Sequence, residues 1–497
     1  MAPREAFDVV VVGAGAAGCV VAARLATSTR RSVLLLEAGP DLRANPPDAF
    51  RDGWSLPPGF DWDYSAEPDD RGIVEDLRRG RLVGGTSILT RFAVRGSPAD
   101  FEDWPAADGI SWRFGDVLPY FTRLESDIDF GDEPWHGSIG PVPIDRYRGV
   151  PPTEIMGAAL VAMESVGFPV VQDHNRPGAV GAGPMPMSSR NGVRVTTADA
   201  YLPAADAPSN LTIRPGATVA DIVFEGDQAC GVRLLDSTTI DAGWVLLCAG
   251  TYGSPPILMR SGIGPADHLA GLGIPVRVDL PGVGANLRDH PGVDIECGDV
   301  RAGRNAPILH TIGTFHSSTA GSGASPDLML WLADPRTHPG GPTPFEIDVV
   351  LLKPKSRGSV RLRSADPADA PRVRLPGVQE PADLERLIEG LLRGLEVASH
   401  PEIRGRGATG GHAATDAAGL RSWIRANAYS IPHTVGTCSM GGSPDDGSVV
   451  DPLGRVHGVD RLSVVDASII PEPPSGFPHL VTIMLAERLS DEVAARL

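Results

Sequence analysis

A chain that opens Phe7-Asp-Val-Val-Val-Val-Gly13-Ala-Gly15-Ala-Ala-Gly18 has few folds open to it. The apolar run at residues 9–12 reads as a buried strand, the glycines as a tight turn, and the alanine-rich stretch to about Ala26 as a helix. A second apolar run, residues 33–36, ends in Glu37-Ala38-Gly39. This is a βαβ unit with the spacing G-x-G-x-x-G. Gly13 permits the turn, Gly15 lets backbone approach a pyrophosphate, and Gly18 lets helix and strand pack closely. The helix start, at Ala16 and Ala17, supplies unpaired N–H groups and partial positive charge for phosphate oxygens. Glu37 follows Gly18 by about 20 residues, where an acid that holds a ribose belongs. A merely glycine-rich turn leaves Glu37 unexplained. The motif says dinucleotide and leaves NAD and FAD both open.

At 497 residues the chain exceeds what one small core can organise, and two to four domains are expected. The formal charge of −18 argues against nucleic acid or an anionic membrane as partner, since both want a basic face. Cys19, Cys230, Cys248, Cys297 and Cys438 are scattered and odd in number, with no C-x-x-C, so a reducing, cytoplasmic setting is expected rather than a disulfide framework. The apolar run at residues 9–23 is flanked by Glu5 and Asp8 and broken by glycine. It is too short to span a bilayer, and no other stretch suggests a span.

Beyond Gly39 the chain turns irregular, with Trp54, Phe60, Trp62 and Tyr64 marking a long ordered loop. The run Gly80-Arg-Leu-Val-Gly84-Gly85-Thr86-Ser87 suits backbone passing close to a flat ligand. Residues 100–124 read as helical and 151–167 as an amphipathic helix. Strands are expected at 211–214, 219–224, 231–235 and 243–248. Gly250 closes the last of these, and Ser254-Pro255 starts a helix. From about residue 291 to 422, strand-like runs at 328–332, 345–352 and 359–362 alternate with Pro/Gly turns. Helices follow at 381–399 and about 415–426, so an antiparallel sheet with covering helices is expected. A strand at 461–468 and a terminal helix at 480–494 end the chain. The expected fold class is α/β: a Rossmann-like nucleotide domain, discontinuous over 1–150, 192–290 and 427–497, and an α+β substrate domain over 151–191 and 291–426.

Two histidines stand out by their surroundings. His433 lies in Ile431-Pro-His-Thr-Val-Gly436 and His479 in Pro473-Pro-Ser-Gly-Phe-Pro478-His, each bracketed by residues that hold backbone in fixed turns. An imidazole near neutrality is the natural base for an alcohol proton. No serine sits in G-x-S-x-G, no H-E-x-x-H or Cys/His cluster suggests a metal, and the phosphate loop G-x-x-x-x-G-K-[ST] is absent.

These pieces together resemble the glucose–methanol–choline (GMC) family of FAD-dependent oxidoreductases. The resemblance rests on the first fingerprint with Glu37-Ala-Gly; on residues 80–87; on Ala249-Gly250-Thr-Tyr-Gly-Ser254-Pro255 through Ser261-Gly262-Ile-Gly264; on Pro281-Gly-Val-Gly284-Ala-Asn286-Leu; and on His433 through Gly441 with Val465-Asp466-Ala467-Ser468. It implies FAD as cofactor, with Glu37 on the adenosine ribose and Val219 touching adenine by its backbone. Gly84, Gly85, Thr86 and Ser87 would lie along the pyrophosphate and flavin, and Asp466 and Ala467 near the pyrophosphate and ribityl chain. Thr90 stands where the family usually carries Asn. Leu89 stands where some members link the flavin through His, so the FAD is expected to be non-covalent. By the same resemblance His433 takes the alcohol proton as hydride passes to flavin N5, and His479 hydrogen-bonds the substrate oxygen. The helix that opens at His479 and Leu480 points its N-terminus at the flavin edge that gains negative charge. The expected function is oxidation of a small-molecule alcohol to a carbonyl, with electrons passed to O2 or another carrier. The alternatives are a lyase on the same fold, such as a hydroxynitrile lyase, and a flavoprotein with weakened turnover.

Overall fold

The computed structural model describes residues 5–50, 56–107, 109–202, 208–298, 300, 309–335, 337–338, 341–342, 345–407 and 417–497. The apolar run at the N-terminus pairs on both sides, as a strand without a polar face must. Strand β1 (Glu5–Val12) runs into helix α1 (Ala16–Ser28) and then β2 (Val33–Leu36), parallel to β1 with Val9 opposite Val33. Strands β3 (Leu211–Arg214), β4 (Val219–Glu225), β5 (Gln228–Leu234) and β6 (Thr239–Leu247) complete a seven-stranded sheet. Its order is β3-β2-β1-β6-β5-β4, and the short strand Leu462–Val464 pairs with β6. The sequence-distant strand β6 lies parallel to β1, with Val12 opposite Leu247. A Cβ on Gly18 would stand 1.8 Å from the Gly13 carbonyl oxygen, so only glycine lets α1 sit this close to the turn.

A second sheet is antiparallel throughout. Strands β7 (Arg288–Glu296), β8 (His310–Phe315), β9 (Leu328–Ala333), β10 (Glu346–Leu351) and β11 (Tyr429–Val435) stack in the order β11-β7-β10-β9-β8, with Gly181–Pro184 at the far edge. One face of it packs Val293, Ile295, Leu330, Val349 and Leu351 into an apolar core; the other presents Trp331, Ile431 and Val350 beside Phe92 and Phe477. Helices α2 (Phe114–Leu124), α3 (Glu154–Ser165), α4 (Thr197–Tyr201), α5 (Gly250–Arg260), α6 (Pro381–Ala398), α7 (Ala417–Asn427) and α8 (Pro478–Ala494) follow in chain order.

Several expectations shift. The helix expected over 100–124 forms only at Phe114–Leu124, because Pro105 and Gly109 interrupt it. Its first part is a 3-10 turn (Pro98–Asp100) closed by a Ser97–Asp100 capping box, with Phe101 and Trp104 packed ring to ring. The strand expected at 461–468 stops at Val464, because Asp466 turns the backbone and caps a 3-10 turn. Strand β8 shows no expected counterpart. Strand β11 lies within 427–497, yet it hydrogen-bonds to β7 at the edge of the second sheet. Trp54 and Thr415 lie outside the described residues.

One buried carboxylate ties the two chain ends together. Glu487 of α8 is fully buried and accepts from Arg24 of α1 through Nε (2.8 Å) and Nη2 (2.7 Å). It also meets Arg123 Nη2 of α2 (2.8 Å) and accepts from the Tyr201 hydroxyl of α4 (2.6 Å). The guanidiniums of Arg24 and Arg123 sit on side chains 31% and 34% exposed, so they regain water when the carboxylate is removed. Glu487→Ala is therefore expected to cost roughly 2–3 kcal/mol, less than a fully enclosed pair. A thermal midpoint unchanged from wild type at equal scan rate would contradict this.

Candidate active site

A cavity of about 770 Å³ runs between the two sheets. At one end it is lined by Gly13, Gly15, Ala16, Ala17, Glu37 and Ala38; at the other by His433, His479, Phe477 and Trp331. Three helices open onto it: α1 behind Gly15, α5 behind Ala249 and α8 behind Phe477. None of the three N-cap residues satisfies the first turn with its side chain. At α1 and α8 the first-turn backbone N–H groups and the helix dipole make this wall receptive to anions, whereas at α5 the Gly250 N–H is taken by Asp466.

Glu37 is 6% exposed at the end of β2. Its Oε2 accepts from Ala14 N–H (3.0 Å) and its Oε1 from Gly39 N–H (2.9 Å), which aims the carboxylate across the turn. Burial pushes its carboxyl up to about 7, against the pull of those N–H donors. Residues 84–87 dock on the fingerprint: Gly84 N–H donates to the Ala14 carbonyl (2.8 Å), and a Cβ on Gly85 would stand 2.7 Å from Gly15 Cα. A Cβ on Gly15 would meet no atom within 4 Å, since that side of the residue faces open space.

The expected residues divide into those that line the cavity and those that shape it. Gly13, Gly15, Ala16, Ala17, Glu37, Ala38, Thr86, Ser87, Thr90, Val219, Gly250, Asp466, Ala467, His433 and His479 line it. Gly18, Gly84 and Leu480 do not; the first two hold backbone in place, and the Leu480 side chain is in the core. The Asp466 carboxylate is taken up internally: Oδ2 accepts from Gly250 N–H (2.8 Å) and Ser254 hydroxyl (2.6 Å), Oδ1 from Ser468 N–H (2.8 Å). It clamps the start of α5, and burial raises its carboxyl.

His433 sits on β11, its ring 4.6 Å from that of Phe477 between centroids. Its backbone N–H donates to Asp289 Oδ1 (2.8 Å). Burial, then His290 and Arg79, hold its imidazolium far below the usual range. Burial and Arg194 lower His479 to about 4, so both imidazoles are neutral at neutral pH. Asp289 is fully buried behind β11; burial raises it to about 7 against the donors Ser430, His433 N–H and His290 N–H.

Sequence reasoning missed His290, whose Nδ1 lies 3.1 Å from His433 Nδ1. The motif Pro281-Gly-Val-Gly284-Ala-Asn286-Leu ends three residues short of it, and only the pairing of β7 with β11 brings His290 under His433. It also missed the acidic wall formed by Asp294, Glu346 and Asp348, whose carboxylates lie within 4.8 Å of one another at the cavity. Asp294 and Asp348 are opposed across β7 and β10, and burial and mutual repulsion raise Asp348 well above the usual range. Trp62 and Tyr64, stacked at 5.6 Å, also line the cavity, as does Arg79.

The GMC oxidoreductase family profile matches residues 7–292 and 354–486. Among known proteins, the chain is 36% identical to an uncharacterised GMC-type oxidoreductase of Rhodococcus erythropolis, over 99% of both chains. It is 34% identical to a 5-(hydroxymethyl)furfural oxidase of Methylovorus sp., over 98% of both. The crystal structure of a pyridoxine 4-oxidase from Mesorbium loti superposes with a TM-score of 0.86 at 30% identity, covering 98% of each chain. The open face of Gly15, the buried Glu37 beside it and the starts of α1 and α8 on one cavity suit FAD. The chain belongs to the GMC oxidoreductase family, FAD-dependent enzymes that oxidise CH–OH groups to carbonyls.

Proposed function

We propose that this enzyme oxidises a small-molecule alcohol with His433 as the base, binding FAD without a covalent link. The observation that carries the reading is a single cavity joining the nucleotide fingerprint to two neutral histidines. FAD, when bound, supplies the hydride acceptor. Glu37 would hold the ribose, the first-turn N–H groups of α1 would meet the phosphates, and Val219 would contact the adenine. Thr86, Ser87, Thr90, Gly250, Asp466 and Ala467 form the remaining wall. Leu89 lines the cavity in place of a linking histidine, which supports non-covalent binding.

His433 takes the hydroxyl proton on the ring nitrogen turned away from His290: the O–H bond breaks and an N–H bond forms. His479, neutral at the start of α8, donates to the substrate oxygen, and the α8 dipole favours negative charge in front of it. Phe477 and Trp331 cover the reacting end and exclude water. Electrons then pass to O2 or another small carrier. The division into a nucleotide body of residues 1–150, 192–290 and 427–497 and a substrate body of 151–191 and 291–426 is our reading, supported by the two separate sheets except at β11 and the start of β7, which belong to the second sheet. Cytoplasmic placement is likewise our reading, supported by five cysteines that form no disulfide; among the described residues no helix is long and apolar enough to cross a membrane. The lyase and weakened-turnover alternatives have no support among the relatives named above.

Removing the base tests the reading. His433→Ala is expected to retain yellow FAD and to lose about 10²- to 10⁴-fold in the rate of alcohol-driven flavin bleaching. Near-wild-type bleaching over a panel of primary alcohols would sink the assignment.

FAD affinity provides a second check, with a definite sign. Before binding, Glu37 titrates at about 7. Ribose hydroxyls donate to its carboxylate form, so binding lowers that value and affinity is greatest above pH 7. As pH falls from 8 to 6, Kd measured on the deflavinated protein should rise several-fold, by at most about tenfold per pH unit. Glu37→Gln should flatten the dependence, and a pH-independent Kd in wild type would remove Glu37 from the ribose site.

A further inference from the structure

His433 has two ring nitrogens, and their roles are decided behind the cavity wall. Nδ1 faces His290 Nδ1 at 3.1 Å, the two rings edge to face at 83°. His290 is fully buried and does not line the cavity. Substrate therefore meets His433 at Nε2.

Two imidazole nitrogens at hydrogen-bond distance hold one proton between them when both rings are neutral. Neutrality is enforced on each ring. His290 is lowered to about 4 by burial and by Lys353, and His433 is lowered by burial, His290 and Arg79. The other charged groups nearby are Asp289, whose Oδ1 accepts from the backbone N–H of both histidines, and Asp100, which is held by Lys353. If the shared proton sits on His290, Nε2 of His433 carries its own proton and can only donate. If it sits on His433 Nδ1, Nε2 has a free lone pair and can take a proton from an alcohol. The tautomer of His290 thus determines whether His433 is a base.

The base reading requires the second case, and the geometry leaves His290 free to serve it. Its Nε2 is buried with no hydrogen-bond partner among the described residues, so the contact with His433 is the one its ring nitrogens make. A His433 that takes a proton at Nε2 carries its own on Nδ1, and the atom facing that N–H is the Nδ1 of His290. We propose that His290 is a positioning residue that selects the proton-accepting tautomer of His433 by receiving the His433 Nδ1–H. It parallels the carboxylate behind the histidine of a serine-protease triad, with a neutral imidazole in its place. When Nε2 takes up the alcohol proton, the same hydrogen bond carries part of the imidazolium charge into His290. The proposal rests on His433 being the base.

The test uses holoenzyme carrying ¹⁵N-labelled histidine, with His433 assigned by its loss in His433→Ala. Nitrogen shifts of wild type should show His433 protonated at Nδ1. In His290→Phe, which offers no acceptor, the proton should move to Nε2. Alcohol-driven bleaching should then fall by about 10²- to 10⁴-fold at unchanged FAD content. His290→Gln, whose amide oxygen can accept, should recover part of the rate. An Nε2-protonated His433 in wild type overturns the proposal even if His290→Phe fails to fold. So does a His290→Phe enzyme with wild-type rate and tautomer. Failure of the base reading looks different, because there His433→Ala itself keeps its rate.

Discussion

The fold depends on the salt-bridged Glu487 carboxylate, which stands inside the protein with two guanidiniums and a phenol around it. Those partners come from α1, α2 and α4, so one side chain near the C-terminus gathers helices from three earlier parts of the chain. A buried charge of this kind adds little stability beyond what an apolar replacement would give, yet it admits few alternative arrangements of its partners. Its consequence is geometric. With α8 locked against α1, the start of α8, carrying Pro478 and His479, faces the same cavity as the start of α1 behind Gly15. Residues more than 400 positions apart thereby share one site, as Gly15 and His479 do.

Other buried charges do the same work elsewhere. Asp466 ties the start of α5 to the strand end after Val464. On the far side, His136 lies 2.7 Å from Glu125 and 2.9 Å from Asp173, while Arg146 pairs with both Asp127 and Asp173. Arg95, fully buried, approaches Glu125 at 3.7 Å and donates to the Asn175 carbonyl. This network fastens residues 173–175 to the 125–146 segment. The acids near His136 are neutralised by these arginines, so the grouping of Glu125, Asp127 and His136 is explained as ion pairing.

What could be read from the sequence was whatever a local spacing encodes. The fingerprint, Glu37 and the strand–helix unit depend on residues within about one βαβ length, and they appear where the spacing put them. The proline- and glycine-bracketed histidines were also visible, because fixed turns leave a mark in composition. His290 was not, since its role arises from the register of β7 against β11, including a bulge between Arg288 and His290. The opposition of Asp294 and Asp348 is again a matter of register. The helix expected over 100–124 erred differently: apolar periodicity masked the breaking power of Pro105 and Gly109.

On the proposed reading of His433 as the base, the same burial that hides His290 explains why a base with so low a proton affinity is useful. A histidine titrating near neutrality would be partly protonated, and so partly inert, at neutral pH. Burial, His290 and Arg79 keep His433 in its neutral form. The cost is a weaker pull on the alcohol proton. Two features of the site offset part of that cost: the shared hydrogen bond to His290, and Asp289, whose Oδ1 accepts the backbone N–H of His433. As Asp289 ionises through about pH 7, its negative charge favours an imidazolium on the neighbouring ring, so the offset is greater above pH 7 than below it.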